Sequence, residues 1–193
     1  MHKTHDVIVI GGGSAGYAAA RTARDAGADV AIVDHGPLGG LCILRGCMPT
    51  KAILRSAEVA ALFRRAKEFG LSPVSVQADL SAIVDRKDRL VREFADYRIQ
   101  QLQDPKFTLY KSRAVFRSPH EITAGDTVLS AGSFILATGS RPDEVLVPGL
   151  VQTGYFTSDT ILDLRTQPGS LIVLGGGAVA LELAQLFAPL GTK

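Results

Sequence analysis

Both cysteines of the 193-residue chain fall in one window, Gly39-Gly40-Leu41-Cys42-Ile43-Leu44-Arg45-Gly46-Cys47-Met48-Pro49-Thr50-Lys51. Two thiols five residues apart can do redox chemistry if the backbone lets them meet. In a regular α-helix that spacing sets their Cα atoms ~8–9 Å apart, beyond the ~7 Å reach of a disulfide. A bridge therefore requires an irregular helix start. Gly46 frees the backbone just before Cys47, and Pro49 has no N–H to leave unpaired in a first helical turn. Cys47 is then expected at a helix N-terminus, where the dipole favours the thiolate. Lys51, one turn on, faces the same way. A dithiol that can close, a favoured thiolate and a cation make a redox site; the competing reading is a pair of inert buried thiols. Two cysteines cannot close a zinc site, and no paired Cys or His at ligand spacing joins them, so no metal is expected.

The elements around the window indicate what the thiols would face. Val7 to Ile10 reads as a buried strand running into Gly11-Gly12-Gly13-Ser14-Ala15-Gly16, then an Ala-rich helix to about Ala26. That is GxGxxG between a strand and a helix, the setting a dinucleotide site requires. Gly11 permits the tight turn, Gly13 lets a pyrophosphate approach the backbone at the helix N-terminus, and Gly16 allows close helix packing. A second strand, Asp29 to Val33, ends at Asp34, the acid expected on a ribose hydroxyl. The pattern recurs near the C-terminus: Leu171 to Leu174 as strand, Gly175-Gly176-Gly177-Ala178-Val179-Ala180 as loop, Leu181 to Leu190 as helix. Ala180 stands where the third glycine would be, which the fingerprint allows. Two such loops imply two dinucleotide sites.

Between the repeats the spacing predicts a helix from about Pro49 to Phe69, closed by Gly70, with Ile53, Leu54, Ala57, Ala60, Ala61 and Phe63 on its apolar side. A turn at Leu71-Ser72-Pro73 precedes a second helix, about Leu80 to Leu102, with Ile83, Val84, Leu90, Val91, Phe94, Ile99 and Leu102 as its stripe. Its Arg86-Lys87-Asp88-Arg89 run reads as a solvated face rather than an interaction patch. Strands follow at Phe107 to Tyr110, Arg113 to Phe116, His120 to Thr123, Thr127 to Leu129 and Ser133 to Ala137. The last ends in Thr138-Gly139-Ser140, small residues that suit either close ligand approach or a plain turn. Asp143 to Thr160 reads as a connector.

Composition narrows the classes. Forty-six per cent hydrophobic and 21% charged residues describe an ordinary soluble domain. The net charge of +2 is scattered, so neither nucleic acid nor an anionic membrane is an expected partner. The N-terminal apolar run is too short for a signal-peptide core or a membrane span. A reducing, cytoplasmic compartment is the expectation, and there a cysteine pair is more often catalytic than structural.

Two βαβ starts, with Gly39-Gly40-x-Cys42-x-x-x-Gly46-Cys47-x-Pro49-x-Lys51 after the first, resemble the class I FAD-dependent pyridine nucleotide-disulfide oxidoreductases, among them dihydrolipoamide dehydrogenase, glutathione reductase and mercuric reductase. The resemblance covers essentially the whole chain. It implies an α/β fold: a Rossmann-like FAD-binding domain with a parallel sheet and β-meander over residues 1–147, a connector over 148–169, and the start of a second, NAD(P)-binding unit over 170–193. It implies FAD on Gly11, Gly13, Ser14, Ala15, Gly16, Asp34 and Gly40, with NADH or NADPH on Gly175, Gly177 and Ala180. Ala114, Ala137, Thr138, Gly139 and Ser158 would make further FAD contacts. Cys47 would be the sulfur against the flavin and Cys42 the one that attacks substrate. Lys51 would lie near the flavin, paired with Glu182. Electrons would pass between NAD(P)H, FAD and the Cys42–Cys47 disulfide to a disulfide or thiophilic metal substrate. The full-length form is expected to be a homodimer.

The chain departs from that pattern in places. Asp34 is one methylene shorter than the family's usual Glu, Leu44-Arg45 replaces an Asn-containing pair between the cysteines, and Ala178 stands where several members carry an aromatic gate. His2, His5, His35 and His120 do not match the family's catalytic His and read as surface residues. Family members continue well past the equivalent of Lys193, so the chain reads as an N-terminal portion. One strand and one helix cannot bury both sides of a parallel sheet, so the terminal unit is expected to fray or pack on a neighbouring chain. Two rival readings stay open. One is a truncated, non-catalytic FAD-binding module; the other is a plain NAD-dependent dehydrogenase with inert thiols.

Overall fold

The computed structural model of the chain describes residues 1–72, 75–143 and 146–193. The turn expected to include Pro73, and the connector positions Glu144 and Val145, lie outside the described residues. In chain order the elements are β1 (His2–Ile10), α1 (Ser14–Asp25), β2 (Val30–Val33), α2 (Gly40–Leu44), α3 (Cys47–Arg64) and α4 (Leu80–Leu102). Then follow β3 (Thr108–Tyr110), β4 (Ala114–Ser118), β5 (Glu121–Ala124), β6 (Thr127–Leu136), α5 (Leu150–Thr153) and α6 (Ala178–Phe187). They divide into two compact units, Met1–Leu44 with Arg92–Arg141, and Arg45–Val91 with Pro142–Lys193.

The first unit is built on a six-stranded sheet in the order β3-β2-β1-β6-β5-β4. The strands β3, β2, β1 and β6 are parallel, and β5 and β4 return antiparallel from β6 as a meander. A parallel strand covered on both faces reads as an unbroken apolar run, and all of Val30–Val33 is buried. Alternate side chains go to opposite faces. Val9, Val30 and Ile32 join Ala20 of α1, Leu102 of α4 and Phe107, while Ile8, Ala31 and Val33 join Ile122, Ala124, Leu129 and Ala131 of the meander. This is the α/β architecture the sequence predicts.

Two local expectations are corrected here. Thr127 to Leu129 and Ser133 to Ala137 are not separate strands but fall on one strand, β6, which ends at Leu136. Its first half bonds to β5 and its length bonds to β1, which carries the pairing across Ser130-Ala131-Gly132. For the same reason β1 begins at His2, whose segment pairs with Val128 to Ala131. His5 is consequently buried rather than a surface residue. Its Nδ1 lies 2.8 Å from Asp29 Oδ2 and its Nε2 3.2 Å from the Tyr110 hydroxyl.

The second unit is helical. Ile53, Ala57 and Ala60 of α3 pack with Leu80 and Val84 of α4, Ile161 and Leu162 of a short 3-10 turn, and Leu186, Phe187 and Leu190 at the end of the chain. After α3 a 3-10 turn, Ala66–Phe69, leads into Gly70 at φ +71°, the left-handed stop that glycine serves best. Phe63 and Phe94, expected on buried stripes, are 44% and 46% exposed. Lys87, expected in a solvated run, is only 3% exposed; its Nζ sits 2.6 Å from Asp163 Oδ1 and 2.7 Å from Asp88 Oδ1. The turn Ile161–Asp163 packs on this part of α4, so the buried face follows that neighbour, and two carboxylates supply the ammonium's partners.

Leu171 to Leu174 forms no strand, against expectation. Ile172 is 90% exposed, and Leu171 N–H donates instead to the Lys193 carbonyl. A strand needs a neighbour for its backbone groups, and the described residues of this unit offer none. The helix of the same repeat nevertheless forms, because Leu186 and Phe187 bury themselves in the unit's core. Among the described residues no helix is long and apolar enough to cross a membrane.

Candidate functional site

The predicted site residues fall into two clusters, one in each unit. In the first, β1 delivers Gly11 between its sheet neighbours: Gly11 N–H donates to Val33 O and Ala137 N–H donates to Ile10 O, both at 2.8 Å. Gly11 turns at φ +105°, and a Cβ there would stand 2.2 Å from Ala137 O. A Cβ on Gly16 would stand 1.7 Å from Gly11 O, so only glycine lets α1 close on the turn. Gly13 is the N-cap of the 12-residue α1 and supplies no side-chain cap. The first-turn N–H groups have no intrahelical partner and face a developing or bound anion well. Ser14 and Ala15 are exposed at that end.

Gly40 meets this loop from the cysteine window. At φ +75°, it lies so close that a Cβ would be 2.5 Å from the Gly13 Cα. Gly40 opens α2, and α2 carries Cys42, which is half-buried. Asp34 sits at the end of β2 as expected, but its carboxylate also braces the loop. Oδ2 accepts Gly12 N–H at 2.5 Å and Oδ1 accepts Gly36 N–H at 2.6 Å. Each carboxylate oxygen still has a second lone pair for a hydroxyl donor. Ala137 is half-buried beside Gly11, Thr138 and Gly139 are exposed beyond it, and Ala114 is half-buried on β4.

In the second unit Cys47 is the first residue of α3 and is exposed. The helix starts two residues before Pro49, with Gly46 as its N-cap. The cysteines therefore do not share one regular helix, which the spacing argument required. Gly46 O accepts both Thr50 N–H at 3.2 Å and Thr50 Oγ1–H at 2.7 Å, locking the first turn over buried Pro49. Lys51 Nζ donates to Glu182 Oε1 of α6, the pairing the resemblance implies. Ser158 is half-buried in the turn Thr157 to Thr160.

The second glycine loop is differently made. Gly175 turns at φ +109° and Gly177 caps α6 without a side-chain bond, with Ala180 in the first turn. A Cβ on Gly175, Gly176 or Gly177 would meet nothing within 4 Å, so the space before this helix is open. Sequence reasoning missed one contact in this cluster: Arg45 Nη1 lies 3.4 Å from Asp159 Oδ2. The only hint was that Arg45 departs from the usual pair between the cysteines.

A βαβ loop fitted for a pyrophosphate, joined to the start of the window that bears both cysteines, defines an α/β dinucleotide-binding oxidoreductase. The chain matches the family described as Pyridine nucleotide-disulphide oxidoreductase over residues 5–193, and it belongs to that family. It is 35% identical to a mercuric reductase of Lysinibacillus sphaericus over 190 residues, which cover 98% of this chain and 35% of that protein. It is 38% identical to a dihydrolipoyl dehydrogenase of Chlamydia muridarum over 198 residues, covering all of this chain and 43% of that one. The chain thus spans less than half the length of these relatives. Its fold is similar to that of the HOCl-induced flavoprotein disulfide reductase RclA from Escherichia coli, with a TM-score of 0.81 and 27% identity over 97% of this chain and 40% of that one. The family's cofactors are FAD and NADH or NADPH. The first loop fits the FAD pyrophosphate, since it is a glycine cradle that side chains would fill.

Proposed function

We propose that this chain is the FAD- and dithiol-bearing part of an oxidoreductase that moves electrons between NADH or NADPH and a disulfide or thiophilic metal substrate. The observation that carries the reading is the backbone approach of Gly40 to Gly13, which docks the start of the cysteine window onto the dinucleotide loop. Residues 1–147 are read as the FAD-binding domain, 148–169 as the connector and 170–193 as the start of the nicotinamide domain. Gly11, Gly13, Ser14, Ala15, Gly16 and Gly40 would hold the pyrophosphate and Asp34 a ribose hydroxyl. Ala114, Ala137, Thr138, Gly139 and Ser158 would make further contacts, while Gly175, Gly177 and Ala180 would receive the nicotinamide dinucleotide. Bound FAD would supply two-electron transfer between the nicotinamide and the dithiol.

The chain's own residues supply the sulfur chemistry. Cys42 thiolate attacks a substrate disulfide, forming a mixed disulfide and releasing one substrate thiolate. Cys47 thiolate then attacks the Cys42 sulfur, closing the bridge and releasing the second; each takes a proton from solvent. The N-terminus of α3 favours the Cys47 thiolate, and Glu182 orients the Lys51 ammonium one turn further on. A cytoplasmic, homodimeric parent protein accords with this dithiol chemistry, and sedimentation of the parent as a monomer would contradict the dimer.

The test is the visible spectrum of the purified chain mixed with FAD and passed through gel filtration. Retained flavin absorption that gains a long-wavelength band on anaerobic titration with a dithiol, and does not in Cys47→Ser, is expected. A colourless protein refutes the reading for this chain. A second reading, a flavin-binding module without turnover, is favoured by the Leu171 to Leu174 segment, which has no strand partner among the described residues. It predicts bound FAD that neither NADH nor NADPH reduces.

A further inference from the structure

We propose that the Arg45–Asp159 ion pair is a positioning device for the dithiol, fixing the link between the two cysteine-bearing helices. The inference rests on the redox reading of Cys42 and Cys47 above. Helix α2 ends at Leu44 and α3 begins at Cys47, so the link is Arg45-Gly46. Gly46 has no side chain, and its backbone is the most permissive in the chain's repertoire. Gly46 O is held from the α3 side by Thr50, so Arg45 is the one side chain within the link that can anchor it.

Its partner is the fixed end of the pair. Asp159 is 19% exposed against 57% for Arg45. Asp159 N–H donates to Thr157 Oγ1 at 3.3 Å, Thr157 N–H donates to Thr160 Oγ1 at 2.9 Å, and Ile161 N–H donates to Thr157 O at 3.0 Å. Directly after this turn, Ile161 and Leu162 are buried in the helical core, and Asp163 bonds the buried Lys87. A carboxylate on so constrained a turn restricts where the guanidinium, and with it the link, can sit.

The consequence is thermodynamic. Closing the disulfide costs the conformational freedom of the link, and a link already restricted loses less. Freeing it shifts the balance toward the dithiol. The reaction is Cys42–Cys47 disulfide plus reduced dithiothreitol giving two protein thiols plus cyclic oxidised dithiothreitol. One S–S bond breaks as another forms, and two electrons and two protons pass to the protein.

The experiment equilibrates the chain in dithiothreitol redox buffers and counts thiols by alkylation and mass, for wild type, Arg45→Ala, Asp159→Asn and the swapped pair Arg45→Asp with Asp159→Arg. Circular dichroism checks that each folds. The expected result is an equilibrium constant shifted toward the dithiol by about two- to fivefold in either single variant, the size of a partly exposed pair. The swapped pair should recover most of it. Raising salt from 0.1 to 1 M shortens the screening length from ~10 to ~3 Å, so wild type and the swapped pair should drift toward the single variants while those stay flat. Single variants that track wild type at every salt overturn the proposal and leave the dithiol reading standing. A wild-type chain that closes no Cys42–Cys47 bridge under any poise overturns both.

Discussion

A methyl group at Gly40 would stand 2.5 Å from the Gly13 Cα on a backbone at φ +75°, whereas one at Gly177 would meet nothing, at φ −75°. The same Gly→Ala change should therefore cost more at Gly40, packed against the first dinucleotide loop, than at Gly177 in the second. Gly40→Ala is expected to cost about 2 kcal/mol or more from left-handed strain and overpacking, and to abolish FAD retention. Gly177→Ala should cost only about 1 kcal/mol, the preference of an N-cap for glycine over alanine. Urea unfolding of both variants checks this, and equal losses would be contrary to it. Tyr110 carries a pH signature. Burial, and then the charge of Asp29, hold its phenol above the ordinary value of 10.0, which favours the neutral form in the folded chain. The resulting stability is complete below about pH 10 and is lost as pH rises through the folded value. The stability difference between wild type and Tyr110→Phe should stay constant from pH 7 to 9.5 and shrink above pH 10, in urea midpoints. At this scale the sequence made Gly11 and Gly16 legible because the fingerprint assigns each a backbone job, and it located Asp34 as the acid that ends the second strand. It hid the Asp34 contacts to Gly12 and Gly36, since no pattern says which N–H a carboxylate will brace.

Helix α4 displays the limit of periodicity as a guide. Val84 and Leu102 lie on the predicted stripe and are buried, yet Phe94 is exposed and Lys87 buried. A stripe drawn along 23 residues assumes one neighbour throughout. Here the first half packs in the helical core and the last turn in the sheet core, so each end answers to a different surface. The burial of Lys87 predicts an asymmetry. Asp163 is 73% exposed and Asp88 33%, so Lys87→Met strands no buried charge and should change stability by less than ~1 kcal/mol. Asp163→Ala leaves the ammonium buried with one carboxylate fewer and should cost about 1–3 kcal/mol. Chemical denaturation of the two variants decides it, and a larger loss in Lys87→Met would contradict the charge argument. Where the surroundings are uniform along an element, as for the four buried residues of β2, the apolar run located the element to within a residue.

At the scale of the whole molecule, the second repeat separates what a sequence pattern encodes from what a fold must supply. Leu171-Ile172-Val173-Leu174 has the same apolar spelling as Val7-Ile8-Val9-Ile10, and each precedes a glycine loop and a helix. The first run is bonded on both sides, by β2 and β6, and Ile8 and Val9 are wholly buried. The second has no strand partner among the described residues, and Ile172, Val173 and Leu174 are 90%, 41% and 57% exposed. Helical hydrogen bonds are internal to their segment, so α6 forms from its own residues and needs only a surface for Leu186 and Phe187. Strand hydrogen bonds are supplied by another segment, and none among the described residues supplies them to Leu171–Leu174. The two runs should therefore differ in amide exchange as measured on a verified monomer. Val9 and Ile32 should exchange only on global opening, whereas Ile172, Val173 and Leu174 should exchange within small factors of unstructured rates. Leu171 should fall between, because its N–H donates to the Lys193 carbonyl. Protection at Val173 equal to that at Val9 would mean that the second strand finds a partner within the chain, and that its sequence pattern alone is sufficient.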